Sequence, residues 1–125
     1  MVHSLHIPET GEPLDDASVQ ASFDRAKAFF EGRGYPCEVV MCESWLLDPA
    51  LQTYAAGGNI CRFQARFKTM PMETKASDAV NRVFGRGTDV SDLDKLPGDT
   101  RMRRGLIEYM KAGLPLRDAG GVVKL

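Results

Sequence analysis

CEVVMCESWLLDPALQTYAAGGNICRFQARFK, residues 37–68, decides the fold. Val39, Val40, Met41 and Cys42 form an apolar run with no polar alternation, as expected of a strand covered on both faces, and the spacing predicts an interior strand over residues 37–47. Asp48-Pro49 then reads as a helix start, because the aspartate accepts backbone N–H bonds and proline suits the first helical position. The short helix is expected to stop at Gly57-Gly58. From Ile60 to Lys68 the chain alternates, with Cys61, Phe63, Ala65 and Phe67 on one side and Arg62, Gln64, Arg66 and Lys68 on the other, which predicts an amphipathic strand.

Upstream of this stretch, residues 2–7 read as a strand stopped by Pro8, and ETGEP supplies a turn. Asp15 or Asp16 caps a helix carrying Val19, Phe23, Ala26 and Phe30 on one face, and the helix ends near Gly32 or Gly34. Downstream, residues 77–84 fit a helix closing at Gly85, and an acidic loop follows. Asp99 or Thr100 caps a last helix that turns Met102, Leu106, Tyr109 and Met110 inward, and Val122-Val123 forms a final strand. The order of strands and helices predicts a central sheet with helices on its faces, its first two strands parallel.

The chain has 125 residues, which fits one domain over residues 1–125. Sixteen basic against seventeen acidic residues leave a net charge of -1, so there is no bulk attraction to nucleic acid or to an anionic membrane. No run of eighteen apolar residues occurs and the N-terminus lacks signal-peptide character, which makes the cytoplasm the expected compartment. Cys37, Cys42 and Cys61 are odd in number and lack ligand spacing. His3 and His6 point to opposite faces of their strand, so no metal site is expected.

Three stretches carry a family resemblance: LHIPETGEPLD; then CESWLLDPALQTY with NICRFQARF; then VFGR with LPGDTRMRRGLIEYMKAG. Together they resemble the GNAT-like C-terminal domain of acyl-CoA acyltransferases. The resemblance implies an α/β fold, a GNAT-like mixed central sheet flanked by helices, equivalent to the C-terminal half of the acyltransferase fold. It also implies acyl-CoA as co-substrate and transfer of the acyl group to an amine or other small nucleophile.

By the same resemblance, Leu5, His6 and Ile7 face the CoA, and the loop over residues 8–16, including Gly11, lies at its pyrophosphate. Glu43 is the candidate general base, Tyr54 the candidate acid that protonates the leaving thiolate, and Trp45 a candidate lining for the acyl pocket. The loop carries Glu9, Glu12, Asp15 and Asp16 in place of the superfamily's basic, glycine-rich signature, which predicts weak protection of the isolated chain by acyl-CoA. A non-catalytic GNAT-like binding or dimerisation module is the alternative reading. Either way the first strand is expected to be an adhesive edge, paired with a separate N-terminal half or in a homodimer.

Overall fold

The computed structural model describes residues 2–8, 12–72 and 77–125. Strand β1 (Val2–Leu5) leads through helix α1 (Asp16–Glu31) to β2 (Val39–Ser44). A 3-10 turn (Trp45–Leu47), α2 (Leu51–Tyr54), α3 (Asn59–Ala65) and β3 (Lys68–Pro71) follow. The chain continues through α4 (Ala79–Phe84), a second 3-10 turn (Leu93–Lys95), α5 (Arg101–Lys111) and β4 (Ala119–Lys124). The sheet runs in the order β1-β2-β4-β3. β1 and β2 are parallel, as a helical crossover requires, and β4 is antiparallel to both β2 and β3.

Local chemistry accounts for the starts of α1 and α5. Asp15 caps α1 by accepting from the Ser18 backbone N–H at 2.8 Å, and Thr100 caps α5 by accepting from Arg103 N at 3.1 Å. Arg103 pairs with Asp99 at 2.7 Å and Lys111 with Asp94 at 2.6 Å, so acidic residues of the preceding loop offset cationic charge on α5. Asp48 does not cap α2, whose N-cap position is Ala50 with no side-chain hydrogen bond, and instead braces the turn that precedes it. It is buried, its Oδ1 accepts from Ala50 N at 3.0 Å, and its Oδ2 accepts from Arg117 N at 2.9 Å, fastening the approach to β4.

The amphipathic strand expected over residues 60–68 is instead helix α3, and strand pairing begins only at Lys68. Ile60, Phe63 and Phe67 also fall at helical steps of three and four, so apolar spacing alone is ambiguous here. Two residues show which period governs: Ala65, inward in the strand reading, is exposed, while Gln64, outward in that reading, is buried. The side that the strand reading gave to Arg62, Arg66 and Lys68 is consequently dispersed. Arg66 binds Asp16 at 2.7 Å, Arg62 binds Asn59 at 2.9 Å, and Lys68 stands on the sheet.

Among the described residues α1 and α3 cover one face of the sheet, and Met72 packs at Gly120 on the other. Cys42 packs in a cluster with Val19 and Phe23 of α1, with Phe63 of α3, and with Phe67 and Leu47. Gly121 of β4 belongs to this face, since a Cβ there would meet Phe67 and Leu47 at 3.0 and 3.1 Å. β2 is interior, as predicted, but the expected burial of the whole run fails. Val40 and Cys42 are buried, Val39 is half-buried, and Met41, on the opposite face, is 44% exposed. A second cluster of Leu51, Tyr54 and Leu106 joins α2 to α5 beyond the sheet.

Candidate functional site

β1 and β2 pair as far as Leu5 opposite Cys42. β2 then runs on through Glu43 and Ser44, paired only with Gly120 and Ala119 of β4, so β1 and β2 part company at this point. A cleft of about 610 Å³ opens there, at the carboxyl ends of two parallel strands. One wall is Leu5, His6, Ile7 and Pro8; the other is formed by Cys42, Glu43, Ser44, Trp45 and Leu46. Backbone of β2 beyond Cys42 has no strand partner on the β1 side, which suits an extended ligand carrying amide groups.

The polar groups of the cleft differ in character. Glu43 is exposed within it, on the strand end where open α/β sheets place ligand groups. Burial, with the neighbouring Glu43 charge, pushes the Cys42 thiol up to about 11, so it stays protonated and packs as a small apolar group. Trp45 is half-buried and touches both apolar clusters. Its ring is placed by the 3-10 turn, which Ser44 caps by accepting from Leu46 N at 3.1 Å.

Three further residues at the cleft escaped the sequence reading: Asp78, Arg82 and Asp118. Asp78 and Arg82 form an ion pair at 2.8 Å, and the hydrogen bond from Arg82 holds the Asp78 carboxyl below its ordinary range. Asp118 is half-buried and accepts from the Asp78 backbone N–H at 3.3 Å, yet burial raises its carboxyl above the ordinary range. Asp118 reaches the cleft because it immediately precedes β4, whose first residue pairs with Ser44. Knowing that β4 lies antiparallel beside β2 was the missing information.

The structure does not bring Tyr54 to this cleft. Its ring is buried between α2 and α5, with the Tyr109 ring centroid 5.3 Å away. Its hydroxyl has no hydrogen-bond partner among the described residues, and burial pushes its pKa upward. Gly11 lies outside the described residues.

On the far side of the segment formed by Leu5, His6, Ile7 and Pro8 lies a pocket of about 310 Å³ against the start of α1, lined by Leu14, Ser18, Val19, Phe23 and Phe63. Two of the carboxylates expected to crowd this loop are already engaged: Asp15 with Ser18, and Asp16 with Arg66. Among the described residues, no group of three or more His, Cys, Asp or Glu side chains is arranged to hold a metal ion. No helix among them is long and apolar enough to cross a membrane.

Solved structures of acyltransferases share this architecture. An acyltransferase bound to decanoyl-CoA and teicoplanin superposes with a TM-score of 0.83 at 29% identity, over 98% of this chain and 41% of that one. A mutant acyltransferase bound to octanoyl-CoA superposes at 0.84 with 28% identity, again over 98% of this chain and 41% of the other. The chain thus spans about 41% of the length of these acyltransferases. No curated protein sequence matches it. The sequence matches the family of the GNAT-like C-terminal domain over residues 1–123, nearly its whole length, and the chain belongs to that family.

Proposed function

We propose that the chain acts as one GNAT-like domain over residues 1–125 and contributes the thioester site of an acyltransferase, which moves an acyl group from acyl-CoA to an amine or other small nucleophile. The observation that carries this reading is the cleft where β1 and β2 separate, in a chain whose structural relatives hold acyl-CoA. The pantetheine arm runs along Leu5, His6 and Ile7, and the pyrophosphate approaches the loop containing Gly11 and the start of α1. Trp45 and Leu46 line the acyl end.

Glu43 takes a proton from the attacking nucleophile as the new bond to the carbonyl carbon forms. The carbon–sulfur bond then breaks and CoA leaves as a thiolate that acquires a proton. Tyr54 is assigned a packing role, because its hydroxyl is enclosed by α2 and α5. The cytoplasm fits this chemistry, since acyl-CoA is made and used there and all three cysteines are free thiols. The exposed edge of β1 pairs with a separate N-terminal half or with a second copy of the chain.

The test is thermal denaturation with acyl-CoA, followed by Glu43→Gln. Ligand at a hundred times its dissociation constant should add about 2.7 kcal/mol of stability. Glu43→Gln should keep that protection and lose acyl transfer. Absence of protection at any attainable concentration would sink the reading.

A further inference from the structure

With the thioester and its pantetheine arm in the cleft between β1 and β2, the attacking nucleophile must reach the carbonyl carbon from another side. A second cavity, of about 330 Å³, opens at the same end of the sheet. Ala119, the first residue of β4, pairs with Ser44 at the end of β2 and with Pro71 at the end of β3, so the residue before it stands between the two strand ends. That residue is Asp118. It lines the cleft on the β2 side and the second cavity on the β3 side, and no other described residue lines both.

Pro49, Ala50, Met70, Met72 and Pro115 give the second cavity largely apolar walls. Asp48 also borders it, but both its oxygens already accept from backbone, at Ala50 and at Arg117. Asp118 has acceptor capacity left: it accepts from the Asp78 N–H and from Ser77, and no cation pairs with it among the described residues. Arg82 of α4 pairs with Asp78, and the side chain of Arg117 is exposed at the second cavity. A half-buried carboxylate facing an apolar cavity suits an ammonium group carried on an apolar body.

We propose that the second cavity seats the acceptor, a primary amine on an apolar body, and that Asp118 binds its ammonium group and carries its proton across to the thioester cleft. The proposal rests on the acyltransferase reading above and names its acceptor class. The Asp118 carboxylate takes one proton from the ammonium, leaving a neutral amine whose lone pair attacks the carbonyl carbon. Glu43 takes the second proton from nitrogen as the amide forms, and passes it to solvent. The carbon–sulfur bond breaks with its electron pair on sulfur, and the Asp118 carboxyl gives its proton to the thiolate. The sum is an amide, a free CoA thiol and one released proton. A thiol is a much weaker acid than a carboxyl, so the last transfer runs downhill. Burial, with the Asp78 and Asp48 charges, raises the Asp118 carboxyl against the opposing hydrogen bonds from Asp78 and Ser77, which eases the uphill first transfer.

Two probes of matched shape test this at neutral pH: 2-phenylethylamine, which is cationic there, and O-benzylhydroxylamine, which is neutral. Binding to the chain is followed by NMR at the Met70 and Met72 methyl groups. The amine should bind about tenfold or more tightly than the hydroxylamine, the least that a charge-assisted hydrogen bond contributes. This comparison needs no variant, so it stands whether or not a substitution folds. Asp118→Asn should abolish the preference while both probes still move the methyl groups, and Asp118→Glu should restore part of it. In octanoyl transfer, read as released CoA thiol, Asp118→Asn should lose about tenfold or more with the amine and far less with the hydroxylamine, which needs no prior deprotonation.

Equal binding of the two probes, a preference that survives Asp118→Asn, methyl groups that neither probe moves, or equal losses of transfer with both acceptors would each overturn the proposal. Thermal protection by octanoyl-CoA keeps the two readings apart. Protection of the chain without any preference for the amine sinks the acceptor seat alone. Preference for the amine without protection at any attainable concentration sinks the acyltransferase reading and leaves an amine site.

Discussion

Gln64 holds the rim of the cleft from behind. Its amide donates to the carbonyls of Leu46 and Asp48 at 2.9 and 2.7 Å, pinning the turn that carries Trp45. Gln64→Leu strands both carbonyls in an apolar setting, and the expected loss is about 2 kcal/mol or more, read as a lower melting midpoint. Tyr54→Phe is the opposite case. A buried hydroxyl without a partner costs its desolvation, so its removal should leave the melting midpoint unchanged or raised, with acyl transfer intact. Loss of transfer in Tyr54→Phe would return Tyr54 to the chemistry. Asp118 gives a pH signature. Burial raises its folded-state pKa, so ionisation disfavours the fold, and this penalty grows as pH rises from the unfolded pKa through the folded one. Asp118→Asn should therefore stabilise the protein at neutral pH, with a gain that vanishes in acid where both states are protonated. A gain independent of pH would show that charge is not the cause. Glu43 and Trp45 were legible as candidate site residues through the family resemblance, and both line the cleft, whereas the enclosure of Tyr54 depends on α5, far along the chain.

Where two elements cross, backbone clearance decides what the sequence tolerates. Gly105 of α5 lies against the end of α2 so closely that a Cβ there would stand 2.0 Å from the Tyr54 carbonyl oxygen. Alanine normally improves a helix by about 1 kcal/mol relative to glycine. Here Gly105→Ala should destabilise instead, because α5 must shift away from backbone that has no rotamer with which to yield. A melting midpoint equal to or above the parent's would show that the two helices are free to separate. Such a contact is invisible in sequence, where Gly105 reads as a weak spot inside an amphipathic helix. The caps were legible, since Asp15 and Thr100 act within three residues of themselves. The expectation for α3 failed for a related reason. Its apolar residues satisfy both periods, and only its contacts with the Leu46 and Asp48 carbonyls select the helix that buries Gln64.

At the scale of the whole molecule, the doubly apolar character of β2 was readable, but which face the chain itself covers was not, because that depends on where α1 and α3 come to rest. The same character shapes the cleft. Its walls present Leu5, Ile7, Trp45 and Leu46 to whatever enters, while its carboxylates stand at the rim and on the α4 side. A CoA headgroup gains little from such apolar walls. An aliphatic tail gains directly. Octanoyl-CoA carries six methylenes more than acetyl-CoA, and burying only two of them at about 0.8 kcal/mol each gives roughly tenfold tighter binding. Protection of the chain should therefore be weak with acetyl-CoA and clear with octanoyl-CoA at equal concentration, and Leu46→Ser should narrow the difference. Equal protection by the two thioesters would mean that the acyl tail lies outside the cleft, in solvent or against a partner.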